Sequence, residues 1–225
     1  MRIHVAGENS LIVYFSDKAS PEVAAEVQQA FYAIRSAMGD KLIDAIPSFA
    51  SLLVLFDALQ TDHIAVRKLI RQALEAKSEQ SIQSGKLVEL PVYYGEECGP
   101  DLQRISELSQ LSIDEIINIH QAMEYRVYAI GFAPGFAYLG EVDTRIATPR
   151  LTTPRKQVAK GSVAIADQQT AVYPAASPGG WNIIGRCPTS MFDKTQQPTM
   201  PVDVGDRVRF YAVDRDSFLD MGGAL

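Results

Sequence analysis

The sequence holds only two cysteines, Cys98 and Cys187, among 225 residues. Two thiols cannot build a disulfide framework, so a reducing, cytoplasmic setting is expected. Long hydrophobic runs are also missing. The longest aliphatic stretch is Leu52–Phe56, far below the roughly 20 residues that span a bilayer. Met1-Arg2-Ile3-His4 is followed by Gly7 and Glu8, so no apolar signal region is expected. Positive charge is in deficit: 21 Lys and Arg stand against 27 Asp and Glu, a formal net charge of -6. That balance argues against nucleic acid as the main partner, because phosphates call for a basic footprint.

Several chemical signatures are absent as well. There is no G-x-x-x-x-G-K-[ST] phosphate loop, no H-E-x-x-H, no C-x-x-C and no G-x-S-x-G nucleophile elbow. Gly131, Gly135 and Gly140 lack the spacing of a dinucleotide fingerprint. None of the six methionines precedes a lysine, so a biotin-attachment pair is missing. Any ATP- or biotin-dependent chemistry would need parts carried by other chains.

What is present reads as a globular protein of one or two domains. Leu11–Phe15, Leu42–Ile46, Leu52–Phe56 and Leu87–Leu90 are strand-like apolar runs. Ser20-Pro21-Glu22 opens a helix with an N-cap, a first-turn proline and a first-turn acid; Gly39 closes it. Thr61-Asp62 caps a second helix. The order strand, helix, strand, strand, helix, strand predicts a ferredoxin-like α/β domain. The polar stretch Lys77–Lys86 marks its end, so domains are expected at 1–85 and 86–225.

The second half has a different grammar. Asp101–Ser109 reads as a short helix, and Ser112-Ile113-Asp114-Glu115 is a capping box for another that runs to about Met123. From Gly131 to Gly205 lie eight of the 12 prolines and eight of the 15 glycines. Between them sit short apolar runs at Val163–Ala166, Ala171–Tyr173 and Val208–Val213. Many short strands between Gly/Pro turns predict a closed or nearly closed β architecture, and an α+β chain as a whole.

Tyr125–Ser190 is the informative region. It contains Gly131-Phe132-Ala133-Pro134-Gly135-Phe136-Ala137-Tyr138-Leu139-Gly140, Ser177-Pro178-Gly179-Gly180-Trp181 and Ile184-Gly185-Arg186. The glycines set turns and the aromatics fill a core, or else both line a small-molecule pocket. Arg145, Arg150, Arg155, Lys156 and Lys160 fall in one stretch with no acid. This run is a solvated face, a patch for an acidic partner, or a site for a carboxylate or phosphate. His120 falls on the stripe Ile113, Ile116, Ile117, as a hydrogen-bonded core residue or as an acid/base. Cys98 lies among acids, which disfavours its thiolate.

The linked set of motifs resembles the KipI family. These motifs are Gly99-Pro100-Asp101-Leu102, Leu111-Ser112 through His120, G-F-x-P-G-F-x-Y-L-G at 131–140, Thr153-Pro154-Arg155, Gly161–Ala166, S-P-G-G-W at 177–181 and Gly205–Phe210. That family is also described as the B component of prokaryotic 5-oxoprolinase and as allophanate hydrolase subunit 1. Cys187 and Ala159 depart from its commoner Thr and Pro. The resemblance implies an N-terminal α/β domain, a C-terminal cyclophilin-like β-barrel, and relatedness to half of a carboxyltransferase region. It further implies one component of an ATP-dependent 5-oxoprolinase that opens 5-oxo-L-proline to L-glutamate. Its expected partners are a KipA-like carboxyltransferase chain (the C component) and a LamB/YcsF-like chain (the A component). ATP serves the complex and is not evidently bound by this chain. The alternative is a regulator that inhibits a sensor histidine kinase. Charge-assisted donors and an aromatic wall single out Arg155, Gln169, Ser177, Trp181 and Arg186 as substrate-binding candidates, with His120 as the catalytic candidate. No metal ligands are proposed.

Overall fold

The computed structural model describes residues 1–76 and 85–225. The chain divides into two compact units, Met1–Ser84 and Gly85–Leu225. Most of the polar stretch expected at the boundary, residues 77–84, lies outside the described residues.

The first unit runs β1 (Arg2–Gly7), β2 (Ser10–Tyr14), α1 (Pro21–Met38), β3 (Leu42–Pro47), β4 (Ser51–Phe56) and α2 (His63–Glu75). The first helix starts where the Ser20 hydroxyl accepts the Val23 N–H at 3.2 Å, with Pro21 at the first helical position. Its buried stripe is Val27, Ala30, Ile34 and Met38, the i, i+3, i+4 spacing of one helical face. The second helix starts where Asp62 accepts the N–H groups of Ile64 and Ala65. Both pack on an antiparallel sheet ordered β1-β2-β4-β3. Leu11, Val13, Leu52, Val54 and Phe56 point into the shared core.

One strand differs from expectation. The run at Leu87–Leu90 is not the fourth strand of this sheet; it belongs to β5 (Leu87–Val92), in the second unit. The edge position beside β2 is filled instead by β1, from the front of the chain. The layer keeps its ferredoxin-like arrangement because an edge strand needs only one neighbour, whichever end of the chain supplies it. Arg-Ile-His-Val-Ala-Gly is exposed along nearly all of β1, so hydrophobic periodicity does not announce it.

The second unit begins with β5, then α3 (Leu102–Ser109), α4 (Ile113–Ala122), β6 (Tyr125–Ile130), β7 (Ala137–Gly140), β8 (Arg155–Val158), β9 (Ser162–Ala166), β10 (Gln169–Val172), β11 (Ser177–Gly179), β12 (Asn182–Arg186), β13 (Arg207–Ala212) and α5 (Arg215–Asp220). Seven strands follow the order β12-β9-β10-β7-β6-β13-β5. The two ends of that sheet meet where Tyr93 and Arg186 exchange N–H···O bonds, both 2.9 Å. The result is a nearly closed barrel. Its interior holds Leu90, Val92, Tyr125, Val127, Leu139, Val163, Ile165, Ile184, Val208 and Phe210. A separate two-stranded ribbon pairs β8 with β11.

The capping box forms as the sequence predicts: Ser112 Oγ accepts the Glu115 N–H, and the Glu115 carboxylate accepts the Ser112 N–H at 2.8 Å. It aims α4 so that His120 enters the core. There the imidazole stacks on Phe210 at 4.8 Å. Its Nδ1 meets the Tyr94 hydroxyl at 2.8 Å and its Nε2 meets the Thr170 hydroxyl at 3.1 Å.

Candidate functional site

Asp101 organises one end of the barrel. Its carboxylate accepts the Ile183 N–H at 2.6 Å and an Arg155 N–H at 2.8 Å, while its own N–H donates to the Ile183 carbonyl. Asp101 is buried and Arg155 partly so. One acid therefore fixes both the start of α3 and the guanidinium of β8 against β12.

Asn182 does the same for the loop before β8. It is fully buried. Its amide donates to the carbonyls of Pro149 (3.0 Å) and Ile165 (3.1 Å), and its oxygen accepts from Arg104 at 3.1 Å. Leu151 adds an N–H bond to the Gly180 carbonyl at 2.7 Å. Pinned on both sides, Arg150 lies over the Trp181 ring at 5.6 Å, a cation–π contact.

Trp181 belongs to an aromatic wall. Phe136 meets it edge-on at 5.7 Å, and Tyr173 and Tyr138 pack edge-on against Phe136. Burial raises the Tyr173 phenol above its ordinary pKa, and the nearby charges of Arg150 and Arg155 oppose that rise. Gly179 has no side chain because a Cβ there would lie 2.3 Å from the Tyr173 hydroxyl. Arg155 sits opposite Gly179 in the β8–β11 ribbon, and Ser177 opposite Val158. Among the described residues, the buried Ser177 Oγ has no hydrogen-bond partner. Phe136, Tyr173 and Trp181 are buried rings of one core cluster, and Arg150 and Arg155 stand at its edge, an arrangement able to hold a carboxylate there.

The sequence candidates distribute unevenly over this face. Arg155 and Trp181 come together, an Arg155 N–H reaching the Trp181 carbonyl at 3.5 Å, while Ser177 lies on the paired strand β11 opposite Val158. Gln169 pairs with Gly140 and Ala166 on β10. Arg186 stands at the far end of β12, about 17 Å from Trp181 at the rise of a strand. There it donates to the Ala224 carbonyl at 2.7 Å. His120 is enclosed in the barrel core. Asp101, Arg150, Asn182 and Tyr173 complete the geometry. The basic run pointed to Arg150, but nothing in sequence tied Asp101 or Asn182 to a face that forms only when distant strands meet.

Burial alone holds the His120 imidazole down at about 3 against an ordinary 6.5. The neutral ring is therefore the folded form at every pH above about 3. Unfolded chains take up that proton below about 6.5, so stability falls as pH drops from 6.5 toward 3. From pH 7 to pH 5 this one group should remove about 2 kcal/mol. Denaturant titrations at both pH values check it: His120→Gln should lose the pH-dependent part, and an unchanged slope in that variant would refute the assignment. The thiols are not activated either. Burial raises Cys98, and it pushes Cys187 up to about 11.

In the first unit, a groove of about 410 Å3 runs between α1 and β3, lined by Phe31, Arg35, Leu42 and Asp44 among others. It contains none of the sequence candidates.

Residues 1–202 match the family model of the carboxyltransferase domain, subdomain C and D. The chain belongs to that family. This carboxyltransferase-domain chain is 35% identical over 227 residues to the 5-oxoprolinase B component of Bacillus subtilis (strain 168), covering 96% of this chain and 95% of that one. The crystal structure of TTHA0988 superposes with a TM-score of 0.81 at 31% identity. That match covers 91% of this chain but only 40% of the other. Urea carboxylase of Kluyveromyces lactis shares the fold, with a TM-score of 0.76 at 16% identity over 97% of this chain and 22% of its own. The chain is α+β, a ferredoxin-like layer followed by a cyclophilin-like barrel.

Proposed function

We propose that this chain is the B component of an ATP-dependent 5-oxoprolinase, a cytoplasmic complex that opens 5-oxo-L-proline to L-glutamate. The observation that carries the reading is the end-to-end similarity to the B component of a bacterial 5-oxoprolinase, nearly complete for both chains. The aromatic and cationic face supports it. A five-membered lactam is flat and carries a carboxylate, and Arg150, Arg155, Ser177 and Trp181 offer matching groups. Arg155 is already paired with Asp101, so Arg150 supplies the freer charge. In this reading the face binds and orients; it contributes no nucleophile.

ATP is assigned to a partner. Phosphates favour helix N-termini with open N–H groups. Here Ser20 and Glu22, Asp62, Asp101, Ser112 with Glu115, and Asp214 occupy or line the starts of the five described α-helices. Each start presents an acid where a phosphate would need positive potential. These acids support placing the nucleotide on a partner chain. The partners proposed to supply it are a carboxyltransferase-like chain and a LamB/YcsF-like chain.

Affinity capture of the tagged chain from its native host tests the assignment. Those two partners are expected in stoichiometric yield, across an interface of at least ~1,000 Å2, the usual size for specific association. Recovery of a sensor histidine kinase in their place would overturn it.

A further inference from the structure

Phe132 is the least comfortable residue of the barrel unit. Its backbone is left-handed, with φ at 71°, and its side chain is 66% exposed. A bulky residue in that region is strained, and such strain concentrates where function requires it. The fold does not ask for a side chain here. The turn is closed by the Gly131 N–H to the Phe136 carbonyl and the Phe136 N–H to the Ala133 carbonyl, both 3.0 Å. Both bonds are made by backbone that any residue at 132 would leave in place. Glycine, which takes positive φ freely, stands one position earlier at Gly131, where φ is not positive and a Cβ would meet nothing within 4 Å. A turn shaped by folding alone would put the glycine at 132.

The surroundings suit a protein surface. Phe132 leans edge-on against Phe136 at 5.2 Å, which connects it to the Trp181 wall and to Arg150 above it. On the other side, the missing Cβ of Gly135 lets Phe192 approach; a Cβ there would lie 2.7 Å from the Phe192 Cβ. Phe192 is itself 37% exposed. Ser190 donates to the Phe192 carbonyl at 3.1 Å and meets Lys160 Nζ at 3.5 Å. Lys160 shares its field with Asp193. Residues 144–166 carry five cations and no acid in a chain of net charge -6; of these, Arg150 connects to Phe132 through Trp181 and Phe136, and Lys160 to Phe192 through Ser190. Asp143 and Asp101 engage Arg145 and Arg155. Among the described residues, Arg150 and Lys156 have no carboxylate partner.

We infer that Phe132, with Phe192 packed against Gly135 of the same turn, is the anchor by which this chain docks a partner protein that offers an apolar pocket rimmed by carboxylates. Aromatic anchors ringed by polar contacts dominate such interfaces, and a cationic rim selects an acidic partner and speeds its approach. The inference rests on the reading of the chain as one component of a complex.

Two variants of the full chain test it, Phe132→Gly and Phe132→Asn, since asparagine also tolerates left-handed backbone. Each is purified, its unfolding midpoint measured, and its affinity for the two partner chains titrated against that of the parent. Both variants should unfold no earlier than the parent, because strain is relieved. Both should bind the carboxyltransferase-like partner at least tenfold more weakly, with affinity for the other chain unchanged. An earlier midpoint with parental affinity would make Phe132 a packing residue and overturn the inference. Parental affinity with lost turnover would make it a wall of the ligand site, which also overturns it. If the parent chain itself binds neither partner, the reading of it as part of a complex falls, and this inference falls with it.

Discussion

Asp101→Ala is expected to destabilise the second unit by about 3 kcal/mol. The acid is buried and makes three bonds that link α3, β8 and β12. Its removal leaves the Ile183 N–H without an acceptor, worth about 1–3 kcal/mol by itself. It also leaves the Arg155 guanidinium without its counter-charge. Arg155 keeps about a third of its side chain in solvent, so water recovers part of that loss, and the sum stays below that of a fully buried pair. For a unit of this size the unfolding midpoint should drop by about 10 °C. Asp101→Asn keeps an acceptor for Ile183 and should lose less. If Asp101→Ala unfolds with the parent, the carboxylate is not the keystone of that end of the barrel.

Much of the architecture is legible in the chain because its elements are locally consistent. Ser20-Pro21, Asp62 and the Ser112–Glu115 box each start a helix where the sequence puts it. The apolar runs at 42–46, 52–56 and 163–166 become strands. Legibility fails where a segment is defined by its partner. β1 is polar and mostly exposed, and it is a strand only because β2 pairs with it. Leu87–Val92 has the composition of either sheet, and its parallel pairing with β13, more than 110 residues away, decides the matter. The site follows the same rule. Trp181 and Arg155 stand out by type and neighbourhood, and they meet. Arg186 and Trp181 belong to one stretch of chain, yet a strand's length separates them. His120 could serve as acid/base by residue type, but burial holds it neutral, which only the completed core determines.

The second large effect concerns dependence on partners. Opening a lactam at the expense of ATP requires a phosphate cradle and an activated carbonyl. The described α-helices of this chain carry an acid at the N-cap or in the first turn, and burial raises the thiols of both cysteines. On the proposed reading, Arg150 and Arg155 bind a carboxylate and supply no nucleophile. The isolated chain should therefore produce no glutamate from 5-oxoproline above the rate without protein, with or without ATP. Any mixture missing one of the three proteins should stay at least ~100-fold below the complete one, since each lacks electrostatic groups that act in the transition state. Glutamate formation in the purified chain alone, in each pair and in the three-protein mixture, at equal concentrations with ATP and Mg2+, measures this directly. ATP-dependent glutamate is expected only from the three together; turnover by the isolated 225-residue chain, or none from the full mixture, would contradict the split of the enzyme over three chains.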